Sequence, residues 1–323
     1  MTQQSEQKAE DQAQVDQAQS TADFGADSTS GTAVGKGCGH QDDATRVLRI
    51  AQRLGLPLPA AHTDAHALCL MAAMLRRESR ADLAFLPFCC TVEAEALGAH
   101  INLGTADCGP RPAGYAYDSL GAFMDDNRLM DFSSGRIHAI LEACQMLKNQ
   151  DEMVAVEISG PVSILSALVD FAALFKCWRK DAALVTQVFL HIGGQLERYA
   201  RELCAAGVDL VSFADPAAAP HIIGPRFSSM LATSFLAPFL EKLAASLPDT
   251  ALHLCPHSAS SLVNAKLAAW EEIPASGYAT YQQACLALAR RGRIFGKRCI
   301  KRASPLPQHG MLPYLQLHKP EEA

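Results

Sequence analysis

The sequence lacks several patterns that are typical of common functions. No two of its 11 cysteines have the C-x-x-C spacing of zinc ribbons and thioredoxin-like proteins. No G-x-G-x-x-G follows the first predicted strand, which weakens a dinucleotide-binding interpretation. The most apolar stretch, residues 161–175, is too short to span a bilayer and contains Asp170. With an odd cysteine count and no apolar run at its start, the chain is predicted to be cytoplasmic and to form no disulfide framework.

A basic surplus is also missing. The net charge is −6, and residues 1–43 hold eight of the 34 acids but only two of the 28 bases. The rest of the chain is therefore electrically balanced and lacks the basic footprint of a nucleic-acid-binding protein. We expect neither a nucleic acid nor a membrane as a partner. Residues 1–43 contain a single aromatic residue and many polar ones, which predicts a disordered acidic tail before one domain at residues 44–323.

The body alternates short apolar runs with longer amphipathic ones. Predicted strands cover residues 82–87, 153–158, 209–213, 251–255 and 293–295. Predicted helices cover residues 43–54, 64–77, 135–149, 162–178, 182–206, 225–246, 258–270 and 278–291. Strands that alternate with helices indicate a parallel sheet in an α/β fold, and the length suits a (β/α)₈ TIM barrel. A doubly wound sheet is the competing architecture.

His253 and Cys255 close one of the predicted strands. Side chains alternate along a strand, so both residues face the same side. Imidazole and thiolate groups are good zinc ligands. A packed core histidine beside a buried thiol is the alternative interpretation of the same pattern.

Cys299 follows the last predicted strand and a glycine, as a loop at a strand end would. One histidine and two cysteines would leave the fourth position of a zinc ion open, which is typical of catalytic sites. Two thiolates also neutralise the charge of Zn²⁺, so a substrate sulfur bound there would stay nucleophilic. Such a site suits alkyl transfer to sulfur better than the activation of water.

Several segments, in order along residues 48–307, resemble the uroporphyrinogen decarboxylase superfamily and its methylcobamide:coenzyme M methyltransferase branch. They are Ala61-His-Thr-Asp-Ala65, Leu86-Pro-Phe-Cys-Cys-Thr-Val-Glu-Ala-Glu-Ala-Leu-Gly98, Ser159-Gly-Pro-Val162, Val211-Ser-Phe-Ala-Asp-Pro216, Ile223-Gly-Pro225, His253-Leu-Cys255, and Cys299 with Ser304-Pro-Leu-Pro307. The arginine-rich signature that the decarboxylase itself carries near its N-terminus is absent from residues 1–60.

The resemblance implies a (β/α)₈ barrel in which His253, Cys255 and Cys299 hold a zinc ion that binds the acceptor thiol. It also implies a corrinoid protein as partner, which delivers a methyl group from its methylated corrinoid to a small thiol such as coenzyme M. The segment between Cys255 and Cys299 is shorter than in that branch, so we expect one barrel strand near the C-terminus to be abbreviated or missing. A non-catalytic barrel that binds a corrinoid, a tetrapyrrole or a thiol, and a divergent decarboxylase, are the alternative functions.

Two carboxylates are further candidates for catalytic roles. Asp215 ends a strand-like run, where it would either orient substrate or a ligating histidine, or serve as a turn or cap residue. Glu157 lies inside an apolar run and needs a partner, which could be the zinc ion.

Other polar residues have simpler interpretations. Glu93 and Glu95 resemble the family's acidic pair, but acids at a helix start explain them as well. His62 and His66 could face a metal, although Asp64 as a helix cap explains that segment without one. Cys89 and Cys90 are interpreted as small core residues.

Overall fold

The computed structural model describes residues 40–247, 249–289, 293–306 and 309–318. Most of the predicted acidic tail lies outside these residues, and its disorder stays a prediction. Among the described residues, no single helix is long and apolar enough to cross a membrane. Residues 161–168 and 171–180 would qualify together, but they are bent by 117° at the break between them.

Helices flank every part of the sheet. The helices are α1 (His40–Leu54), α2 (Ala60–Thr63), α3 (Ala65–Ser79), α4 (Val92–Ala96), α5 (Leu120–Asp126), α6 (Gly135–Lys148), α7 (Pro161–Leu168), α8 (Phe171–Lys180), α9 (Ala182–Ala205), α10 (Pro220–Leu231), α11 (Ala237–Ser246), α12 (Pro256–Asn264) and α13 (Tyr281–Ala287). A π-helical segment, Ala232–Leu236, joins α10 to α11.

The strands form one large and one small sheet. They are β1 (Ala84–Leu86), β2 (Ile101–Asn102), β3 (Arg111–Pro112), β4 (Val154–Ser159), β5 (Leu210–Ala214), β6 (Ala251–Leu254), β7 (Ala268–Pro274), β8 (Ile294–Phe295) and β9 (Met311–Leu317). The large sheet has the order β1-β4-β5-β6-β8-β9-β7, and β2 pairs only with β3.

The first five strands of the large sheet, β1, β4, β5, β6 and β8, are parallel to one another, which confirms a parallel-rich α/β fold. All five correspond to predicted strands. β5 is buried at every position and β4 at all but Glu157. Continuous burial on both faces is what central parallel strands require, and their apolar runs made them predictable.

The far edge of the sheet differs from the predicted eight-stranded barrel. β9 runs antiparallel to β8, and β7 runs antiparallel to β9. Within the described residues no pairing joins β7 to β1, so the sheet has two edges there. β6 pairs directly with β8. β7 lies between these two strands in the sequence but at the edge of the sheet in the structure. β7 carries the exposed Glu271 and Glu272, which a strand buried on both faces could not accommodate.

The two faces of the sheet have different coverings. Val156, Val211 and Leu252 belong to the larger core beneath the helices. The opposite face carries Ala155, Leu210, Ala251 and Phe295, which cluster with residues of α13 and β9, among them Tyr281 and Leu312. We call this second side the inner face, and the candidate residues Glu157, Ser212 and His253 described below lie on it, near the carboxyl ends of their strands.

Three predicted helices end earlier than expected. The run 162–178 is two helices, because Val169 is extended and Asp170 caps α8 by accepting a hydrogen bond from the Ala172 N–H at 3.1 Å. The run 258–270 stops at Asn264, since Lys266 adopts a left-handed conformation (φ 59°) and β7 begins two residues later. The run 278–291 is shortened to α13, although residues 290–292 lie outside the described part of the chain.

Candidate functional site

A row of polar side chains crosses the inner face near the carboxyl ends of three strands. Glu157 on β4 is in register with Ser212 on β5, and Ser212 is in register with His253 on β6. Directly paired residues of parallel strands face the same side of a sheet, so the three side chains share one face. Polar residues at this end of a parallel α/β sheet are typical of a functional site.

His253 is almost fully enclosed, with 1% of its surface exposed. Its Nδ1 lies 2.9 Å from Ser212 Oγ, and its Nε2 lies 2.9 Å from the carbonyl oxygen of Arg298. A carbonyl only accepts hydrogen bonds, so Nε2 carries the proton and Nδ1 accepts from the serine hydroxyl. Burial lowers the pKa of His253 to about 4, which keeps the ring neutral at neutral pH.

Cys255 and Cys299 lie on two chain segments that meet His253 through its own strand and through Arg298. Cys255 is buried, follows β6 as the N-cap residue of α12, and donates its backbone N–H to the Phe213 carbonyl at 2.8 Å. Cys299 is half-buried and is the residue after Arg298, whose carbonyl touches the His253 ring. The structure thus brings the backbone segment that carries Cys299 to the histidine that precedes Cys255 by two residues.

These residues match a zinc ion in the chemistry of their donor atoms. Imidazole and two thiols from neighbouring strand ends are a zinc donor set. In the described part of the chain, however, no three metal-ligating side chains are already gathered around one point. His253 Nε2 is directed at the Arg298 carbonyl, so binding through this nitrogen requires that hydrogen bond to be exchanged for the metal.

Glu157 has the charged partner that its burial demands. Lys301 Nζ donates to Glu157 Oε1 at 2.9 Å, and each side chain is less than one fifth exposed. The same ammonium group lies 5.2 Å from the centre of the Phe85 ring. The chain after β8 therefore crosses from His253 to the ends of β4 and β1. A role for Glu157 as a zinc ligand or catalytic group stays a prediction.

Asp215 faces the start of α7. Its carboxylate accepts hydrogen bonds from the Val162 N–H at 3.0 Å, the Ser163 N–H at 2.8 Å and the Ser163 hydroxyl at 2.7 Å. Burial raises its pKa to about 6, and these hydrogen bonds act in the opposite direction. The geometry is that of a helix cap supplied from a neighbouring strand end. A direct role of Asp215 towards substrate stays a prediction.

The segment after β1 is organised by Arg136, which sequence reasoning missed. The buried guanidinium donates to the His62 carbonyl at 3.0 Å, to Cys89 Sγ at 2.7 Å, and to Glu95 at 3.1 Å. Glu95 is thus more than an acid at a helix start, because it is the counter-ion of a buried cation. An arginine at a predicted helix start gave no signal of this role.

Two further residues of this segment differ from expectation. Cys90 is exposed, which corrects its interpretation as a core residue. Although part of the residue is open to solvent, its thiol lies among packed groups, and this desolvation, with the neighbouring Cys89 and Glu157, raises its pKa to about 11. Glu93 is buried, and burial raises its pKa. Its Oε1 accepts the Ser159 N–H at 3.0 Å, while Oε2 has no hydrogen-bond partner among the described residues.

Asp64 caps α3, as one of the two interpretations of this segment predicted. It accepts the Ala67 N–H at 2.8 Å. His62 is buried and its ring lies 6.1 Å from that of Phe88, whereas His66 is exposed. The described residues show no metal cluster around this pair.

Ser212 and Lys301 are the members of the site that the sequence did not single out. Ser212 interrupts an apolar run on β5, and this polar interruption is the one local signal that could have indicated it. Its pairing with His253 depends on the register of two strands that are 41 residues apart.

Comparisons with known proteins agree with this architecture. The profile of the uroporphyrinogen decarboxylase family (URO-D) matches residues 44–287, a range that includes His253 and Cys255 and ends before Cys299. The methylcobamide:CoM methyltransferase MtaA of Methanosarcina barkeri (strain Fusaro) is 28% identical over 217 residues, which cover 65% of this chain and 62% of that protein. The methylcobamide:CoM methyltransferase MtbA of Methanosarcina acetivorans is 23% identical over 209 residues, which cover 63% of this chain and 60% of that protein.

A solved structure of a methyltransferase from Methanosarcina mazei superposes with a TM-score of 0.58 at 25% identity, over 77% of this chain and 74% of that one. The match to the two methyltransferases spans less than two thirds of their length. The family profile nevertheless covers most of the sequence and all the parallel strands up to β6. This chain therefore belongs to the uroporphyrinogen decarboxylase family.

Proposed function

We propose that this chain is a zinc-dependent methyltransferase that moves a methyl group from a methylated corrinoid on a partner protein to a small thiol such as coenzyme M. The observation that carries the proposal is the meeting of His253, two residues before Cys255, with the backbone segment of Cys299. The names of the relatives supply the reaction, since MtaA and MtbA are methylcobamide:CoM methyltransferases.

The proposed reaction forms a sulfur–carbon bond and breaks the cobalt–carbon bond, whose electron pair stays on cobalt. The thiol must lose a proton in the process. Zinc held by His253, Cys255 and Cys299 would supply positive charge that lowers the pKa of the substrate thiol. Side chains of this protein carry out the remaining roles, which are binding, support and positioning.

His253 is neutral at neutral pH because burial disfavours its charged form, so its ring can act as a ligand without first losing a proton. Glu157 lies in the same row, two strands away, and its ion pair with Lys301 keeps it anchored at the rim. The thiol proton passes to solvent, and we assign to Glu157 a supporting role beside the zinc ligands. Asp215 acts as a positioning residue, since it fastens the start of α7 to the end of β5.

The (β/α)₈ barrel plan of the family is also part of this proposal. In the proposed barrel plan the five parallel strands supply the site, and the C-terminal part of the sheet is built instead from the antiparallel β9 and β7.

Removal of either proposed thiol ligand tests the function. Cys255→Ala and Cys299→Ala should lose the bound metal, of which the wild type should hold about one zinc ion per chain. Methyl transfer from methylcobalamin to coenzyme M should fall by more than about 100-fold, because several kcal/mol of transition-state stabilisation depend on the metal. Zinc is measured by elemental analysis, and transfer by the methylated thiol and the spectrum of the cobalamin product.

Cys177→Ala is the matched control, because Cys177 lies on α8 and contacts the Asp181 carbonyl at 3.9 Å, away from the site. It should keep both zinc and activity. A folded wild type that is purified under reducing conditions and binds no zinc contradicts the proposal. A zinc-loaded wild type that binds methylcobalamin but never turns over supports the non-catalytic binding protein instead.

A further inference from the structure

The two ring nitrogens of His253 have partners of different chemistry. Nε2 donates to the Arg298 carbonyl, which can only accept a hydrogen bond. Nδ1 accepts from Ser212 Oγ, and a hydroxyl can either donate or accept. The hydrogen bond to Arg298 therefore requires the ring proton to be on Nε2. Ser212, in contrast, can hydrogen-bond to Nδ1 whether or not this nitrogen carries the proton.

We infer that Ser212 is the positioning residue that orients His253 for zinc, with Nε2 as the ligating atom and the Ser212 hydroxyl as the permanent partner of Nδ1. This inference rests on the proposed function, because it presupposes zinc at His253. It assigns to Ser212 a role that is separate from those of the three ligands.

Placement favours Nε2 over Nδ1 as the ligating nitrogen. Ser212 sits on the neighbouring strand in register with His253 and is 1% exposed, so it holds Nδ1 from within the sheet. Nε2 faces the segment after β8, which carries Cys299 as the residue after Arg298. Nε2 is thus the nitrogen whose present partner lies in the loop that carries Cys299.

The hydroxyl explains how His253 can exchange partners without leaving a buried nitrogen unsatisfied. When Nε2 gives up its proton to ligate a metal, a neutral ring carries its proton on Nδ1 instead. Ser212 then changes from donor to acceptor by rotating its hydroxyl, and the hydrogen bond to Nδ1 survives. Without this partner, the buried Nδ1–H would lose its hydrogen bond, which costs about 1–3 kcal/mol. Partners that hold the second nitrogen of a ligating histidine commonly affect metal affinity by about 10- to 100-fold.

Zinc affinity of Ser212 variants tests the inference. Ser212→Ala should bind zinc about 10- to 100-fold more weakly than the wild type in competition with a chromogenic chelator, whereas Ser212→Thr, which keeps the hydroxyl, should restore most of the affinity. Ser228→Ala is the matched control, since it removes a buried hydroxyl whose partner is Ser261 Oγ at 3.1 Å, behind the other face of the sheet. Thermal unfolding of each variant shows which of them are folded.

Nitrogen NMR of the His253 ring gives a second readout. The zinc-free wild type should carry its proton on Nε2, and the zinc-loaded protein should carry it on Nδ1. The inference is overturned if a folded Ser212→Ala binds zinc as tightly as the wild type, or if the loaded ring keeps its proton on Nε2. A wild type that binds no zinc instead overturns the proposed function, and the inference with it.

Discussion

Glu157, Asp215 and His253 are polar side chains at neighbouring strand ends, the first half-buried and the other two buried, yet each has a different kind of partner. Glu157 pairs with the ammonium group of Lys301, Asp215 with N–H groups at the start of α7, and His253 with a hydroxyl and a carbonyl. The sequence indicated that each needs a partner, because unpaired polar groups are costly to bury. It could not indicate which partner, since every one lies at least 45 residues away or on another strand.

Asp215 should make the folded protein less stable as the pH rises through the weakly acidic range. Its folded pKa of about 6 lies above the ordinary aspartate value of 3.8, so between these values the folded chain holds a proton that the unfolded chain has lost. Stability therefore falls with rising pH, by up to about 3 kcal/mol for this group. The free energy of urea unfolding of the wild type minus that of Asp215→Asn should decline between pH 4 and pH 6.5.

Asp170→Asn is the control for this comparison, since it changes an exposed carboxylate that caps α8. The free energy of unfolding of the wild type minus that of Asp170→Asn should not decline between pH 4 and pH 6.5. A difference for Asp215→Asn that stays level or rises over the same range would contradict the assigned desolvation.

At the scale of elements, the close approach of β8 to β6 places the Arg298–Cys299 segment against His253. β8 has only two residues, and the chain leaves it through Gly296. A Cβ atom at Gly296 would lie 2.6 Å from the Leu254 carbonyl oxygen, which is part of β6. The absence of a side chain at this position thus sets how near the two strand ends come.

Gly296→Ala should therefore displace the segment that carries Cys299. We expect a loss of stability of about 1–3 kcal/mol from overpacking and a clear drop in zinc affinity. Gly194→Ala on α9 is the control, because its Cβ meets nothing within 4 Å, and an alanine in a helix stabilises by about 1 kcal/mol relative to glycine. Thermal unfolding and chelator competition on both variants check the expectation, which is wrong if Gly296→Ala retains wild-type stability and zinc binding.

At the scale of the whole molecule, the large sheet combines a buried parallel block with a half-exposed antiparallel edge. β5 has a strand on each side and is buried throughout, whereas β7 pairs only with β9 among the described strands and is buried only at its first residue. Local opening is easier where fewer buried contacts hold a strand. The two parts should therefore differ in their opening free energies.

Hydrogen exchange should reveal this difference. Backbone amides of β5 should exchange about tenfold or more slowly than those of β7 in the native protein, because β7 can open without disturbing the parallel block. Mass spectrometry of peptides that cover Leu210–Ala214 and Ala268–Pro274 measures both rates. Equal protection of the two strands would show that the edge and the block open as one unit.

Local sequence patterns predicted the parallel strands and several helices well, because continuous apolar runs and 3.6-residue periodicity are properties of neighbouring residues. They failed where a single residue ended an element. Asp170 was predicted inside a single helix, 162–178, and is a helix cap, and the turn at Lys266 was predicted as part of a helix. β7 and β9 were missed because each depends on the other for its pairing.

The sequence by itself determined the family, the parallel block and the residue types of the candidate zinc ligands, since ordered motifs and apolar runs are written along the chain. Only the tertiary structure decided that β6 pairs with β8, that Ser212 and Arg298 hold the His253 ring, and that Lys301 pairs with Glu157. These contacts join strands and loops far apart in the chain. Their geometry depends on strand register and close approach, which arise only when the whole sheet has packed.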